Sequence, residues 1–258
     1  MTGRCYSEHI GPSAASESDS AAGVLRRRER VRHATVSEIK DLAWTQIAGV
    51  GAASLSLRAV AREMGMTSSA LYRYFPSRDH LLTALAADGF ASLADTLEAA
   101  ETDATHRDIS PPERFLHLMR VYRTWSLAHP TEYALMFGTP VPGFDECGPE
   151  AKLEMLRGVN VLFRMMVSCV ESGRVVPPPL DPSIERKLAA KLRKWKGHAG
   201  EGLPPEALAG CMLVWMQLHG AISLELFGHL PPDLLPADEL FEQQMRQLMV
   251  LLGSTLDA

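Results

Sequence analysis

Apolar side chains recur every three to four residues along most of the chain, which is the spacing of one face of an α-helix. The clearest case has apolar residues at positions i, i+3, i+4 and i+7: Leu57, Val60, Ala61 and Met64. No alternation of apolar and polar residues with a period of two runs far enough to indicate a strand. The pattern therefore predicts an all-α fold.

Two short helices with a tight turn between them are predicted near the start of the chain. Ser56 is a good N-cap for the first helix, Gly65 supplies a left-handed turn after it, and Thr67 caps the second. Pro76 ends the second helix, and Ser77 caps the helix that follows. Two helices in this order form a helix-turn-helix, in which the second helix enters the DNA major groove.

The pattern divides the chain into three parts. Residues 1–25 are small, polar and aperiodic, so we expect a disordered N-terminal extension. Residues 26–80 form a three-helix DNA-binding domain that begins with a basic arm, and residues 81–258 form a larger body of antiparallel helices. Within that body, residues 172–205 make a long connection, which we expect to lie on the surface rather than to cover a pocket.

Charge is distributed unevenly between these parts. Residues 26–80 carry ten basic and five acidic side chains, whereas residues 81–258 carry 15 basic and 23 acidic ones. A basic segment on an acidic body indicates contact with a polyanion at one end of the molecule. We find no secretory segment and no apolar run near the roughly 18 residues that a membrane span needs, so we expect a cytoplasmic protein.

The candidate DNA contacts share a hydroxyl, an aromatic ring or a guanidinium group. Hydroxyls and helix-terminal N–H groups suit phosphate oxygens, and arginine can also pair with guanine. The basic arm could lie in a minor groove. The alternative is an ordinary helical hairpin with a polar exterior. The candidates are Arg26, Arg27, Arg28, Arg58, Thr67, Ser68, Ser69, Tyr72, Arg73, Tyr74 and Arg78.

The stretch "LSLRAVAREMGMTSSALYRYFPSRDHLLTAL" resembles the N-terminal domain of the TetR/AcrR family of bacterial transcriptional regulators. The resemblance rests on the spacing from Ala61 to Gly65, on the cap at Thr67, and on "LYRYFPSR" at residues 71–78. A weaker resemblance links Trp215, His219 and Gly220 with the Trp…His-Gly subclass of C-terminal domains in that family.

The resemblance implies a homodimer that binds a palindromic operator in double-stranded DNA. It also implies a helical body that binds a small effector and thereby releases the operator, and repression is the expected sign of regulation. The alternatives are a transcriptional activator and a ligand-independent architectural protein. Thr45 matches a DNA-backbone contact of the family, whereas Ser69 replaces a residue that is Gly or Pro in many members, so no operator sequence is transferred.

Aromatic and methionine side chains on the helices of the body are candidates for an apolar effector pocket. The alternative is that they fill an ordinary core. His219 is counted with them, although it could instead be a buried structural histidine. The candidates are Phe115, Met119, Tyr122, Trp125, Tyr133, Met136, Phe137, Phe163, Met166, Trp215 and His219.

The last two long helices are apolar on more than one face, which indicates a dimer interface built from two helix pairs. The candidates for that interface are Gly220, Leu224, Phe227, Phe241, Met245 and Leu248.

Catalytic and cofactor chemistry is not indicated. The chain has no nucleophile elbow, phosphate loop or metal-binding cysteine pair, so we expect no enzyme activity, no metal and no cofactor. The four cysteines lie far apart in the sequence, and we expect free thiols.

Overall fold

The computed structural model describes the backbone of residues 14–107, 109–138, 148–195 and 203–254. These residues form ten α-helices and no strand, which confirms the all-α prediction. The helices are α1 Ala14–Val50, α2 Leu57–Glu63, α3 Ser68–Tyr72, α4 Arg78–His106, α5 Pro111–Ala128, α6 Pro130–Phe137, α7 Pro149–Glu171, α8 Glu185–Trp195, α9 Pro205–Leu226 and α10 Asp238–Leu251.

The chain separates into two compact units, Met1–Arg78 and Asp79–Ala258. In the first unit, α1, α2 and α3 pack around a small apolar core. Its buried members are Ile39, Ala43, Ile47, Leu55, Leu57, Val60, Ala61, Leu71 and Phe75. This core fixes which side of α3 remains on the surface.

The N-caps of α2 and α3 and the glycine turn between them are present as the sequence predicts. The hydroxyl of Ser56 accepts a hydrogen bond from the N–H of Ala59 at 3.4 Å, and Thr67 caps α3 through Ala70 at 3.3 Å. Gly65 has φ of 65° between the two helices, a conformation that side chains with a Cβ rarely adopt.

The expected disorder of residues 1–25 is wrong for residues 14–25, because α1 begins at Ala14. Residues 14–22 consist of four alanines, three serines, one glutamate and one aspartate, and contain neither glycine nor proline. Adding such residues to an existing helix is easy, since the costly step of helix formation is nucleation. Residues 1–13 of the predicted extension lie outside the described residues.

In the second unit, α5 is the central helix and packs against α6, α7, α9 and α10. After α7, Val176 donates its N–H to the carbonyl of Gly253 at 3.2 Å, which ties the following connection to the end of α10. The connection continues into α8, whose apolar face packs on α7 and α9. The connection therefore has an anchored start and a packed helix of its own.

The expectation that no segment is apolar enough for a membrane span is wrong for α9. Pro205–Leu226 is long and apolar enough to cross a membrane, and 33% of its apolar window is buried in this chain. A helix that packs on its own body with one face and on a partner with another has the same composition. The apolar character of α9 is therefore weak evidence for a membrane.

Candidate DNA-binding surface and effector cavity

The exposed side of α3 carries the groups expected to meet DNA. Tyr72 is 41% exposed, and Arg73 is exposed beside it at the end of the helix. Thr67 and Ser69 are exposed at the start of α3, with their hydroxyl oxygens 3.1 Å apart. We call these four residues, together with the half-buried Ser68, the recognition surface. It presents hydroxyls, a phenol and a guanidinium on one short helix.

Two of the expected DNA contacts are engaged inside the first unit. The guanidinium of Arg32 lies over the ring of Tyr74, 5.3 Å from its centroid. Arg78 donates from Nη1 to the backbone carbonyl of Ala53 at 2.9 Å. Both side chains are half-buried. These contacts stabilise the unit, so Tyr74 and Arg78 are less available to DNA than the recognition surface is.

The remaining candidates flank the recognition surface in sequence. Arg26, Arg27 and Arg28 are exposed on α1, so the basic arm is helical where the structure describes it. Thr45 is also exposed, with its hydroxyl donating to the carbonyl of Asp41 at 3.0 Å, and Arg58 is exposed on α2.

A cavity of about 230 Å³ lies between α5, α7 and α9 in the second unit. Its lining is apolar and uncharged. The lining residues are Phe115, Met155, Val159, Leu162, Phe163, Cys211, Met212, Val214 and Trp215. We call this space the main cavity. Burial raises the pKa of the Cys211 thiol to about 12, so this wall carries no charge near neutral pH.

A smaller space of about 10 Å³ adjoins the main cavity, and Met155, Val159 and Trp215 line both. Tyr122, Phe137 and Glu154 also line this small cavity. Five of the expected pocket residues line at least one of the two cavities: Phe115, Tyr122, Phe137, Phe163 and Trp215.

The other expected pocket residues do not line either cavity. Trp125 is buried, because its ring stacks on His129 and its indole N–H donates to Ser92 at 3.1 Å. The two ring nitrogens of His219 lie within hydrogen-bond distance of two tyrosine hydroxyls. The remaining four are buried in the core: Met119, Tyr133, Met136 and Met166.

Sequence reasoning missed most of the wall that α7 contributes. Met155, Val159 and Leu162 follow helical spacing with the predicted Phe163, so the signal was present in the sequence. Cys211, Met212 and Val214 were also missed. Nothing in the pattern of α9 distinguishes the side of the helix that meets the cavity.

A chain of four polar groups lies at the edge of the small cavity. The hydroxyl of Tyr122 lies 3.0 Å from Nε2 of His219, and the hydroxyl of Tyr133 lies 3.1 Å from Nδ1 of the same ring. Tyr133 also meets the hydroxyl of Ser223 at 3.1 Å. Burial lowers the pKa of His219 to about 4 and raises the pKa of both tyrosines, so the whole chain is uncharged near neutral pH. We call it the polar chain.

The amphipathic helix α8 packs against the outside of the cavity wall. Leu192 forms a buried cluster with Phe163 and Leu208, and Leu188 packs against it. Phe163 also lines the main cavity, as do three other residues of this cluster: Val159, Cys211 and Met212. Helix α8, within residues 172–205, therefore does cover a cavity wall, contrary to our expectation from the sequence.

Arg123 joins three helices of the body. From α5 it donates two hydrogen bonds to Glu225 of α9, both at 2.8 Å, and one to Asp238 of α10 at 2.6 Å. These hydrogen bonds raise the pKa of the guanidinium, with Glu225 as the largest cause. Phe241 lies beneath Arg123 at 5.1 Å. The same helix, α5, also lines the main cavity.

Half of the predicted dimer interface is wrong. Phe241, Met245 and Leu248 are buried in the core of their own chain, because the face of α10 that carries them packs on α5 and α9. By contrast, Gly220 and Leu224 are exposed on α9, and Phe227 is exposed directly after its end. The exposed apolar residues that accompany them are Met216 on α9 and Leu240, Val250 and Leu251 on α10.

Comparison with known proteins assigns both units. Residues 39–85 match the family model described as bacterial regulatory proteins, tetR family. Residues 115–248, half of the chain, match the model described as tetracyclin repressor-like, C-terminal domain. The chain belongs to the TetR family. Neither match confirms the Trp…His-Gly subclass, which stays a prediction.

TetR-family relatives of known name agree with this assignment. The HTH-type transcriptional regulators Rv1816 of Mycobacterium tuberculosis and Mb1846 of Mycobacterium bovis are each 34% identical to the chain over 234 residues. The aligned regions cover 88% of this chain and 96% of each relative. The protein is therefore a DNA-binding transcriptional regulator of the TetR family and not an enzyme.

Two solved structures share the fold of this chain. The regulatory protein SCO4313 is 35% identical, with a TM-score of 0.70, and the match covers 86% of this chain and 98% of that one. RolR, solved in complex with resorcinol, is 18% identical with a TM-score of 0.50 and covers 89% of this chain and 98% of its own. The likeness to RolR concerns the fold alone.

Proposed function

We propose that this TetR-family regulator is a homodimeric repressor that leaves a palindromic operator when a small, uncharged and mostly apolar or aromatic molecule binds in the main cavity. The observation that carries the proposal is the apolar cavity between α5, α7 and α9 in the body of a DNA-binding regulator. A ligand-independent architectural protein needs no such space. An activator would share the cavity and differ only in the effect of binding on transcription.

The recognition surface supports the DNA-binding part of the proposal. A guanidinium can form two hydrogen bonds with a guanine edge or pair with a phosphate, and the Tyr72 ring can contact a thymine methyl group. The exposed hydroxyls of Thr67 and Ser69 are suited to phosphate oxygens. Arg73 and Tyr72 therefore read bases, and the hydroxyls position α3 on the DNA backbone.

The size and chemistry of the main cavity support the effector class. An apolar protein cavity of about 150 Å³ is enough to bind benzene. The main cavity, at about 230 Å³, has room for one ring with small substituents. No charged side chain lines it among the described residues, so a charged effector would lose its hydration without gaining an ionic partner.

The exposed face of α9 and α10 supports the homodimer. Met216, Gly220, Leu224 and Phe227 repeat at spacings of four, four and three residues, so they share one side of α9. A Cβ at Gly220 would meet no atom of its own chain within 4 Å, which leaves space for a partner helix. A groove of about 360 Å³ runs between Gly220 and Leu224 of α9 and Leu240 of α10. Two copies of this face can form a four-helix interface.

Release of the operator by small aromatic molecules tests the proposal. Genomic footprinting first identifies an operator, and a gel-shift assay then measures its release by a panel of neutral aromatics, in which resorcinol is one probe. In a cytoplasmic repressor, the same molecules raise expression from the operator. An operator complex that no neutral aromatic changes would favour the architectural alternative.

A cavity-filling variant gives the sharper result. Val159→Phe occupies the main cavity, so we expect operator binding to persist and the response to aromatics to be lost. Leu153→Phe adds the same side chain to a position on α7 that is 66% exposed, so it should respond as the wild type does. If aromatic molecules release the operator equally well from both variants, the assignment of the effector to this cavity is wrong.

A further inference from the structure

We propose that Tyr122 is the polar anchor of the effector, and that the effector carries one uncharged hydrogen-bonding group, such as a hydroxyl or a carbonyl. This inference rests on the proposed function of the main cavity and specifies the chemistry that the cavity selects.

The polar chain contains four hydrogens that can be donated but forms three internal hydrogen bonds. Each hydroxyl of Ser223, Tyr133 and Tyr122 brings one hydrogen, and a neutral His219 ring brings one N–H. Among the residues that the structure describes, these groups make three hydrogen-bond contacts: Ser223 with Tyr133, Tyr133 with His219, and His219 with Tyr122. Each contact uses one hydrogen, so one of the four has no partner within the chain.

The position of the unused hydrogen depends on the tautomer of His219. When Nδ1 carries the hydrogen, His219 donates to Tyr133, Tyr122 donates to Nε2, and the unused hydrogen lies toward Ser223. When Nε2 carries it, His219 donates to Tyr122, and the Tyr122 hydroxyl hydrogen is unused. Tyr122 can therefore accept from a bound group in the first arrangement and donate to one in the second.

The two ends of the chain differ in their surroundings. Ser223 is half-buried on α9, where a hydroxyl can turn to a carbonyl of its own helix. Tyr122 is 1% exposed, so its hydroxyl has no access to bulk water. An unpaired donor is costly there, so without a ligand the arrangement with the spare hydrogen at Ser223 is favoured. That arrangement leaves the Tyr122 oxygen buried with a free lone pair, which can accept a hydrogen bond from a ligand hydroxyl. A ligand acceptor can instead take the Tyr122 hydrogen when the tautomer of His219 changes.

Tyr122 is also the member of the chain that lines a cavity. It borders the small cavity, which shares Met155, Val159 and Trp215 with the main cavity. The small cavity, at about 10 Å³, holds no ring. A single polar substituent on a ring in the main cavity could extend into it when a flexible side chain such as Met155 shifts.

The same surroundings reject an anion. Among the described residues that line the small cavity, Glu154 is the charged one, and it is paired with Arg157 at 2.7 Å. The polar chain itself is neutral, and the guanidinium of Arg123 is already bound by Glu225 and Asp238. A carboxylate at Tyr122 would be buried without a cation, which is strongly unfavourable.

Three matched probes test the anchor: p-cresol, p-xylene and p-toluate present a hydroxyl, a methyl group and a carboxylate on the same ring. Isothermal titration of the full-length protein should give the tightest binding for p-cresol and the weakest for p-toluate. In Tyr122→Phe, the preference for p-cresol over p-xylene should fall by about three- to tenfold, the range expected for one neutral hydrogen bond.

Tyr133→Phe is the matched control. It removes the other tyrosine hydroxyl from His219, and Tyr133 lines neither cavity, so the preference for p-cresol should be retained. Thermal unfolding of both variants reports their loss of stability separately from binding. Tighter binding of p-toluate, or a preference for p-cresol that Tyr122→Phe leaves unchanged, would overturn the anchor alone. If none of the probes binds the wild type, the effector cavity is overturned, and the anchor with it.

Discussion

Burial decides the energetic value of two arginine networks in the body, those of Arg123 and Arg157. The side chain of Arg123 is 9% exposed, as is that of its partner Glu225. The side chain of Arg157 is 38% exposed and pairs with Asp95, Glu98 and Glu154 at 2.6 to 2.7 Å. Arg157 has more acidic partners, but water can replace each of them.

Replacing the two arginines by methionine should therefore have unequal effects. Arg123→Met leaves the Glu225 carboxylate buried without a cation, which should lower the free energy of unfolding by about 3–5 kcal/mol. Arg157→Met exposes three carboxylates to water, and it should cost no more than about 1 kcal/mol. The difference of about 2 kcal/mol or more is large enough for equilibrium urea unfolding, followed by circular dichroism at one fixed protein concentration.

A double variant separates the ion pair from its burial. Arg123→Met with Glu225→Leu removes both charges, and Asp238 stays 65% exposed, so most of the loss should be recovered. A cost for Arg157→Met as large as that for Arg123→Met would refute the reasoning. Strict additivity of the two changes at Arg123 and Glu225 would refute it as well.

Three further predictions concern DNA affinity, thiol chemistry and assembly. If one dimer contacts about 6–10 phosphates, operator affinity should fall by about 10³–10⁵ between about 50 and 200 mM salt; a flat response in fluorescence anisotropy would contradict a phosphate-bound recognition surface. Burial raises the pKa of both Cys169 and Cys211 to about 12, so at pH 8 iodoacetamide should modify neither in the native protein and both after unfolding, and rapid native labelling would contradict their burial. Met216→Asp with Leu224→Asp should convert the dimer to a monomer in sedimentation velocity, whereas Leu153→Asp should not; an unchanged dimer in the double variant would place the interface elsewhere.

The DNA-binding unit could be predicted from sequence because its signals are local. Ser56, Gly65 and Thr67 each act within a few residues of their own position, and the structure shows the caps and the turn that they predict. The same local reasoning failed for residues 14–25, since composition alone did not show that they continue an existing helix.

The body was harder to predict because its site depends on contacts between distant residues. Helical spacing showed that α10 is apolar on more than one side but not which side faces the core, so Phe241, Met245 and Leu248 were assigned to the wrong surface. The partners of His219 lie 86 and 97 residues away in sequence, and no pattern connects them. Aromatic residues at helical spacing on α5 proved to be a mixture of cavity wall and core.

Single substitutions on the recognition surface, with operator affinity as the readout, test whether α3 binds DNA. We predict that Tyr72→Ala and Arg73→Ala each abolish specific binding in fluorescence anisotropy while sedimentation shows an intact dimer. Arg186→Ala, which removes an exposed arginine from α8, should bind as the wild type does. Tyr72 and Arg73 variants that bind and footprint the operator normally would show that the recognition surface does not bind the DNA.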